Sequence, residues 1–283
     1  MAPDTTGRLW VVATPIGNLD DFSPRAQQVL RQADLIACED TRHSASLLKH
    51  FGIAARTLAL HEHNERQVSG ELVRRMAEGA QIALICDAGT PLISDPGFRI
   101  VHAARQAGIV VSPIAGPCAA IAALSVAGLP CDRFVFEGFL PAKSAARRAR
   151  LQQLDRDPRT LIFYESSHRI VESLSDMEQV FGAARLAVLA RELTKLFETV
   201  LDGPLQELVQ RVSTDTDQQR GEFVVLVAGA AEEGDAARLA EGMRVFELLR
   251  RELPPSRAAK LAAEITGAPR KALYAQGNAS DAS

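Results

Sequence analysis

Residues 87–97, DAGTPLISDPG, carry more chemistry than a connector needs. They hold two carboxylates, Asp87 and Asp95, and two hydroxyls, Thr90 and Ser94, set among Gly89, Pro91, Pro96 and Gly97. They follow the apolar run AQIALIC (80–86) and lead into the amphipathic FRIVHAARQAG (98–108), so they join a strand to a helix. In an open α/β sheet, ligands bind beyond the carboxyl ends of strands. Backbone N–H groups and side chains of such a loop are suited to hold a polar cofactor near the next helix.

Other segments have the same character. VATPIGNLDD (12–21) lacks the GxGxxG of dinucleotide sites, but Pro15 and Gly17 make a stiff turn that a ligand can approach closely. In AGPCAAIAALSVAGLP (115–130), Gly116 and Pro117 form a turn, and Cys118 and Ala119 are small enough for the same close approach. CEDTR (38–42) places Glu39, Asp40 and Arg42 at a strand end, as an ion pair or as the wall of a polar cleft. FYESSHRI (163–170) and RELTKLFE (191–198) bring Glu165, His168, Arg169, Glu192, Lys195 and Glu198 to strand ends. A charged run is ordinarily a solvated face, but two clusters at corresponding ends of one sheet lean towards a site. In HEHN (61–64), period two puts His61 and His63 on one strand face. No third ligand sits at a suitable spacing and no CxxC occurs, so no metal site is expected. The basic patches are KSAARRAR (143–150) and, in the tail, Arg250, Arg251, Arg257, Lys260, Arg270 and Lys271. They are solvated faces or, beside a cleft, phosphate grips.

The elements that must position these groups alternate. RLWVVAT (8–14), DLIACED (34–40), RTLALHE (56–62), QIALICD (81–87) and IVVSPI (109–114) read as strands, with helical segments between them. Ser23 and Pro24 open the first helix as cap and first residue, and Asn64 caps another. This is the pattern of βαβ units and a mostly parallel sheet. A second set of strands follows at 133–139, 160–166, 185–193, 197–203 and 222–229, with helices at 143–154, 168–181 and 204–212. The strands 185–193 and 197–203 are too close for a crossover helix. They should form a hairpin and make the second sheet mixed. Beyond residue 233 the pattern is purely helical. Ser256 is expected to cap one helix, Gly267 to end it and Pro269 to start the next, in the manner of a helix-turn-helix. NASDAS (278–283) is expected to fray. The expected organisation is therefore two αβα domains, 1–116 and 117–232, and a small helical domain, 233–283.

The chain has 283 residues, 47% hydrophobic and 24% charged, the balance of a globular protein. No apolar run reaches the roughly 20 residues of a membrane span. MAPDTTGR does not begin a secretory signal, and the four cysteines are scattered through apolar runs, as in a reduced cytoplasmic protein. A net charge of −3 excludes a general polyanion binder, so any nucleic-acid contact is local.

ATPIGNLDD, CEDTR, DAGTPLISDPGF, GFLPAK, FYESSHR and RELTKLFE occur in an order and spacing that resemble the ribosomal RNA branch of the tetrapyrrole-methylase-like, S-adenosylmethionine-dependent methyltransferases. The resemblance spans about residue 8 to residue 275. It implies two αβα domains with the methyl donor in the cleft between them, a helical C-terminal domain, a homodimer, and 2′-O-methylation of a cytidine in the decoding region of 16S ribosomal RNA in the small subunit. It places Asp87, Ala88, Gly89 and Thr90 on the donor, with Ser94 and Asp95 shaping the loop behind. Pro15 and Gly17 lie close by, and Gly116, Pro117, Cys118 and Ala119 complete the pocket. The sequence departs from the family pattern at Ala115 and Cys118, where Pro and Ser are usual, and at Ser167, where Pro is usual. A thiol at Cys118 replaces a hydroxyl only as a weak donor.

The acceptor 2′-OH must lose a proton, and a carboxylate or a lysine of lowered pKa can take it. Glu165, Glu192 and Lys195 are the expected candidates, and Arg42, Lys143, Arg147 and Arg148 are expected on the RNA backbone. Two other functions fit parts of the chain. A tetrapyrrole methyltransferase shares the fold, but GFLPAK and a basic helical tail have no use there. A non-catalytic RNA-binding or regulatory protein would use the tail, but leaves the DAGTP loop without a purpose.

Overall fold

The computed structural model describes residues 7–61, 63–230 and 235–279. Packing divides the chain into two compact units, one ending at Gly229 and one starting at Ala230.

The first unit contains two five-stranded sheets. In the first, β1 (Arg8–Val12), β2 (Leu35–Cys38), β3 (Thr57–Ala59), β4 (Gln81–Leu84) and β5 (Val110–Ile114) lie in the order β3-β2-β4-β1-β5, all parallel. Alternation along each strand decides which helices cover which face. Val12, Ile36 and Ala83 face α1 (Pro24–Gln32) and α2 (Thr41–His50), packing on Leu30 and Leu48. Leu9, Ala37, Ile82 and Leu84 face α3 (Glu65–Ala77) and α4 (Phe98–Gln106), packing on Leu72, Met76 and Ile100. The loop between β4 and α4 runs to Gly97, and α4 begins at Phe98, where the amphipathic segment 98–108 begins.

The second sheet contains β6 (Phe134–Phe139), β7 (Thr160–Ser166), β8 (Leu186–Arg191), β9 (Thr199–Pro204) and β10 (Glu222–Val227), in the order β6-β7-β10-β8-β9. Only β6 and β7 run parallel, and β8 and β9 form the expected hairpin. Leu161, Phe163, Phe223 and Val225 face α6 (Ser144–Leu154), α7 (Ile170–Phe181) and α8 (Leu205–Thr214). Ile162, Val224 and Leu226 face α5 (Ala119–Val126). Full burial of a side chain such as Phe163 contributes about 1.5–3 kcal/mol. Gly116 and Pro117, the expected boundary between the halves, lie in the loop from β5 to α5.

The second unit has three helices, α9 (Asp235–Leu249), α10 (Pro255–Thr266) and α11 (Arg270–Ala279), around Phe246, Ala258, Ala262 and Leu273. Gly267 ends α10 in the left-handed region, its N–H on the Ala263 carbonyl. The expected boundary at 232/233 and the last four residues of the expected frayed tail lie outside the described residues.

Local chemistry follows expectation at Ser23 and differs from it at Ser256, at Asn64 and at the His61/His63 pair. Ser23 caps α1, its Oγ accepting the Ala26 N–H at 3.1 Å. Ser256 is no cap, because Pro254 holds that position and Pro255 begins α10. Asn64 caps nothing with its side chain, which instead accepts the His61 N–H and donates to the Ala59 carbonyl. His61 and His63 lie in that turn beyond β3, not on a strand face, with their rings 6.0 Å apart. Among the described residues, no three His, Cys, Asp or Glu side chains converge to hold a metal ion.

Candidate functional site

Three loops at the carboxyl end of the first sheet are tied to one another. Thr14, after β1, and Gly89, after β4, exchange backbone hydrogen bonds of 2.8 and 3.1 Å. The buried Thr14 hydroxyl also donates to the Cys86 carbonyl, and the Thr90 hydroxyl donates 2.8 Å to the Pro117 carbonyl, after β5. The 87–97 loop keeps its shape through left-handed residues at Gly89 (φ 85°), Leu92 (73°), Ser94 (70°) and Gly97 (129°). Leu92 and Ser94 each pay of order 1–3 kcal/mol for that conformation, a cost that concentrates at functional sites.

Opposite this loop stand residues of the second sheet, and between them lies a cleft of about 450 Å³. Asp87, Ala88, Gly89, Thr90, Ser94 and Asp95 line one side of it, with Cys118 and Ala119 at the start of α5. Pro15, Gly17, Gly116 and Pro117, expected close to the donor, are not among the residues that line it. Gly116 packs on Ala13, where an added Cβ would come within 2.9 Å of the alanine Cβ. Gly17 passes so close to the second half that a Cβ there would lie 2.3 Å from Cγ of Lys195. The Cys118 side chain makes no capping bond to α5, the place where the family's hydroxyl is missing.

The sequence did not single out Ile16, Ile93, Phe139 and Tyr164, which give the cleft its apolar walls. Phe139 and Tyr164 fall inside the quoted motifs GFLPAK and FYESSHRI, but nothing in their spacing marks them as lining residues. Tyr164 accepts the Ala120 N–H at 3.2 Å and meets Phe136 and Phe139 edge to face. Burial, with the Cys118 thiol beside it, pushes the Tyr164 phenol up.

The three expected proton acceptors are all engaged. Glu165 is buried, and its carboxylate accepts the Ser166 N–H, two guanidinium bonds from Arg169 at 2.7 and 2.9 Å, and the Ser173 hydroxyl. A carboxylate with this many donors is a structural hub whose oxygens are already engaged. Lys195 lies 2.8 Å from Glu192 and 2.9 Å from Glu222. Burial works to lower the Lys195 ammonium, but those two carboxylates outweigh it and hold it above its ordinary value. Glu192 moves the other way. Burial opposes its charge, and the Lys195 ammonium and the Glu222 N–H more than offset that. Glu192 is thus a weakened base, and Lys195 is a cation at neutral pH.

A different group of carboxylates is unpaired. Glu39, Asp87 and Asp95 have no salt-bridge partner among the described residues. Burial, then repulsion from Asp95 and Asp87, pushes Glu39 up. Asp95 is likewise pushed up by burial, with Asp87 adding to the effect and the Cys86 thiol partly offsetting it. The adjacent Asp40 behaves oppositely, held at about 2 by hydrogen bonds from Arg42.

The expected RNA contacts separate into two kinds. Arg42 is exposed at the start of α2, with Nη2 3.0 Å from Asp40. Lys143 is exposed just before α6, and Arg148 is half exposed, donating to Gln179 at 2.8 Å. Arg147 is a correction. It is fully buried, with Nε 2.7 Å from Asp176, and cannot present its guanidinium to a phosphate. The run of three arginines in eight residues hides that one of them points inward.

Residues 8–209 match the family model for tetrapyrrole (corrin/porphyrin) methylases, and residues 236–280 match the RsmI C-terminal HTH domain. Among curated proteins, the chain is 62% identical to ribosomal RNA small subunit methyltransferase I of Xylella fastidiosa (strain Temecula1), covering 95% of this chain and 98% of that protein. It is 60% identical to the protein of that name from Pseudomonas aeruginosa, covering 96% and 97% respectively. Solved structures of similar fold include the methyltransferase CobJ (TM-score 0.59, 20% identity, 80% of this chain and 95% of that one). Diphthine synthase is another (TM-score 0.58, 17% identity, 82% and 94%).

Proposed function

The chain belongs to the ribosomal RNA small subunit methyltransferase I branch of the tetrapyrrole methylase family, and from that premise we propose that it methylates a ribose 2′ oxygen of a 16S ribosomal RNA cytidine in the decoding region, with S-adenosylmethionine as donor. One observation carries the donor assignment. Asp87 lines the cleft with Glu39 within electrostatic reach, neither has a salt-bridge partner among the described residues, and burial, then repulsion from Asp95 and Asp87, pushes Glu39 up. A ligand carrying both a sulfonium and an ammonium relieves that repulsion, and Ile16 and Ile93 offer apolar surface to an adenosine. When bound, the donor supplies a methyl group already activated by positive sulfur.

The chain's own task is then alignment and exclusion of water, which dominate such in-line displacements. The Thr14–Gly89 and Thr90–Pro117 bonds fix the loop that meets the donor. Phe139 and Tyr164 close the opposite wall. Arg42, Lys143 and Arg148 supply the exposed cations that the RNA backbone needs, in a chain whose overall charge is −3. A homodimer in the cytoplasm belongs to the same proposal, and sedimentation of the pure protein tests the dimer. The function itself is tested with labelled donor and small ribosomal subunits that lack the modification. Label must enter the RNA and appear in an alkali-resistant dinucleotide, because a 2′-O-methyl group blocks cleavage of the adjoining phosphodiester. Label found only in protein, or none, refutes it.

A further inference from the structure

We propose that Asp95 is the catalytic base, the group that takes the proton of the acceptor hydroxyl. It rests on the methyl-transfer function above. The ionisable groups of the cleft point to it by their commitments. Glu165 is saturated with donors, Lys195 is bound to Glu192 and Glu222, and Asp87 accepts the Asp40 N–H. Asp95 accepts no N–H or O–H donor among the described residues, and its hydrogen-bonding neighbour is the buried Cys86 thiol just beyond β4, a weak donor that only partly offsets the effect of burial.

Its backbone is held as a catalytic group requires. Ser94 before it is left-handed, and its hydroxyl sits against Gly138 of β6, where a Cβ would come within 2.9 Å. Two residues beyond Asp95, the N–H of Gly97 donates to buried Glu65, as do those of Arg99 and Ile100. The loop is therefore clamped by both halves of the unit. The carboxylate lines the cleft, within electrostatic reach of Cys86, Asp87 and Glu39 on the first half and of Tyr164 on the second. None of these neighbours is a cation. Burial raises the basicity of Asp95 above that of an ordinary carboxylate, which moves it towards the range where a base works best.

The step balances without another reactant. The ribose oxygen forms the new C–O bond with its lone pair. The methyl C–S bond breaks with its electron pair staying on sulfur, and the hydroxyl proton passes to an Asp95 oxygen. One positive and one negative charge vanish together.

The test compares full-length wild type, D95N and D95E on small ribosomal subunits lacking the modification, at saturating donor, across pH. Wild-type turnover is expected to rise with pH along an acid limb lying above the ordinary carboxylate range. D95N should lose about 10²–10⁴-fold in kcat and show no acid limb, while still binding donor in a calorimetric titration. D95E should recover part of the rate together with the limb. D95N with wild-type kcat or an unchanged limb overturns the assignment. So does an inactive D95N that no longer binds donor and is not rescued by D95E, since that is a structural role. Wild type that transfers no label refutes the methyl-transfer function and this inference with it. A transferring wild type with an unaffected D95N refutes this inference alone.

Discussion

The Oε1 atom of Glu65, at the start of α3, lies 2.7 Å from the backbone nitrogen of Arg99, in the first turn of α4. Gly97 caps that helix and brings no side chain to it, so a carboxylate from a neighbouring helix does the work. E65A leaves three N–H groups without an acceptor and should cost about 1–3 kcal/mol. Because those groups follow the 87–97 loop, donor affinity should fall as well. E65Q keeps an acceptor oxygen and should lose less of both. Thermal melts and donor titrations of the two variants check the order.

Arg147 belongs to the core of the second half, where it holds Asp176 together with the Ser144 hydroxyl. R147A strands a buried carboxylate and should destabilise the protein by about 3–5 kcal/mol. Removing both charges, as R147M/D176L, should recover most of that loss, since a buried pair is often worth no more than an apolar isostere. Chemical denaturation of the three proteins measures it.

Salt dependence separates Arg147 from its exposed neighbours. Replacing Arg42, Lys143 and Arg148 together with alanine should weaken binding to small-subunit RNA. The slope of log K against log salt should flatten by about 2, from three contacts at roughly 0.7 each. R147M/D176L should leave that slope unchanged. A triple variant with the wild-type slope would remove all three residues from the interface.

The Glu192–Lys195 pair has a defined pH window. Glu192 is depressed, so its contribution is present above the ordinary glutamate range and is lost as pH falls through the depressed value. Lys195 is raised, so its contribution is present below the ordinary lysine value and is lost as pH rises through the raised one. The stability difference between wild type and K195M should therefore be flat from about pH 6 to pH 9 and shrink at both extremes. Because both side chains are partly in solvent, its plateau should be about 1 kcal/mol or less. The acid limb of turnover should persist in K195M, as expected of a residue that is not the base.

Much of the fold was legible because it is written in local pattern. Alternation in RLWVV and TLIFYES assigns each side chain to a face, and Ser23-Pro24 states where α1 begins. The short gap between β8 and β9 leaves room only for a hairpin. The loops of the site were legible as motifs, since DAGTPLISDPG holds more turn and polar chemistry than a connector requires. What escaped was everything set by partners distant in sequence. Arg147 looks like its neighbours until Asp176 is brought to it by α7, and Glu165 looks like a free acid until Arg169 and Ser173 wrap it. Asp95 reads as a loop-shaping residue because its distinction is the donors it lacks. Ser256 failed as a cap because Pro254 and Pro255 already fix the chain entering α10.

The most direct measurement locates the methyl group. Purified protein, labelled S-adenosylmethionine and small ribosomal subunits lacking the modification are incubated, in parallel with deproteinised 16S RNA, and the RNA is digested to nucleosides. Label migrating as a 2′-O-methylcytidine is the predicted result, and the better substrate shows whether subunit architecture is read. Label on a base, or none on either substrate while the donor is demonstrably bound, would contradict ribose methylation and leave only the donor cleft standing.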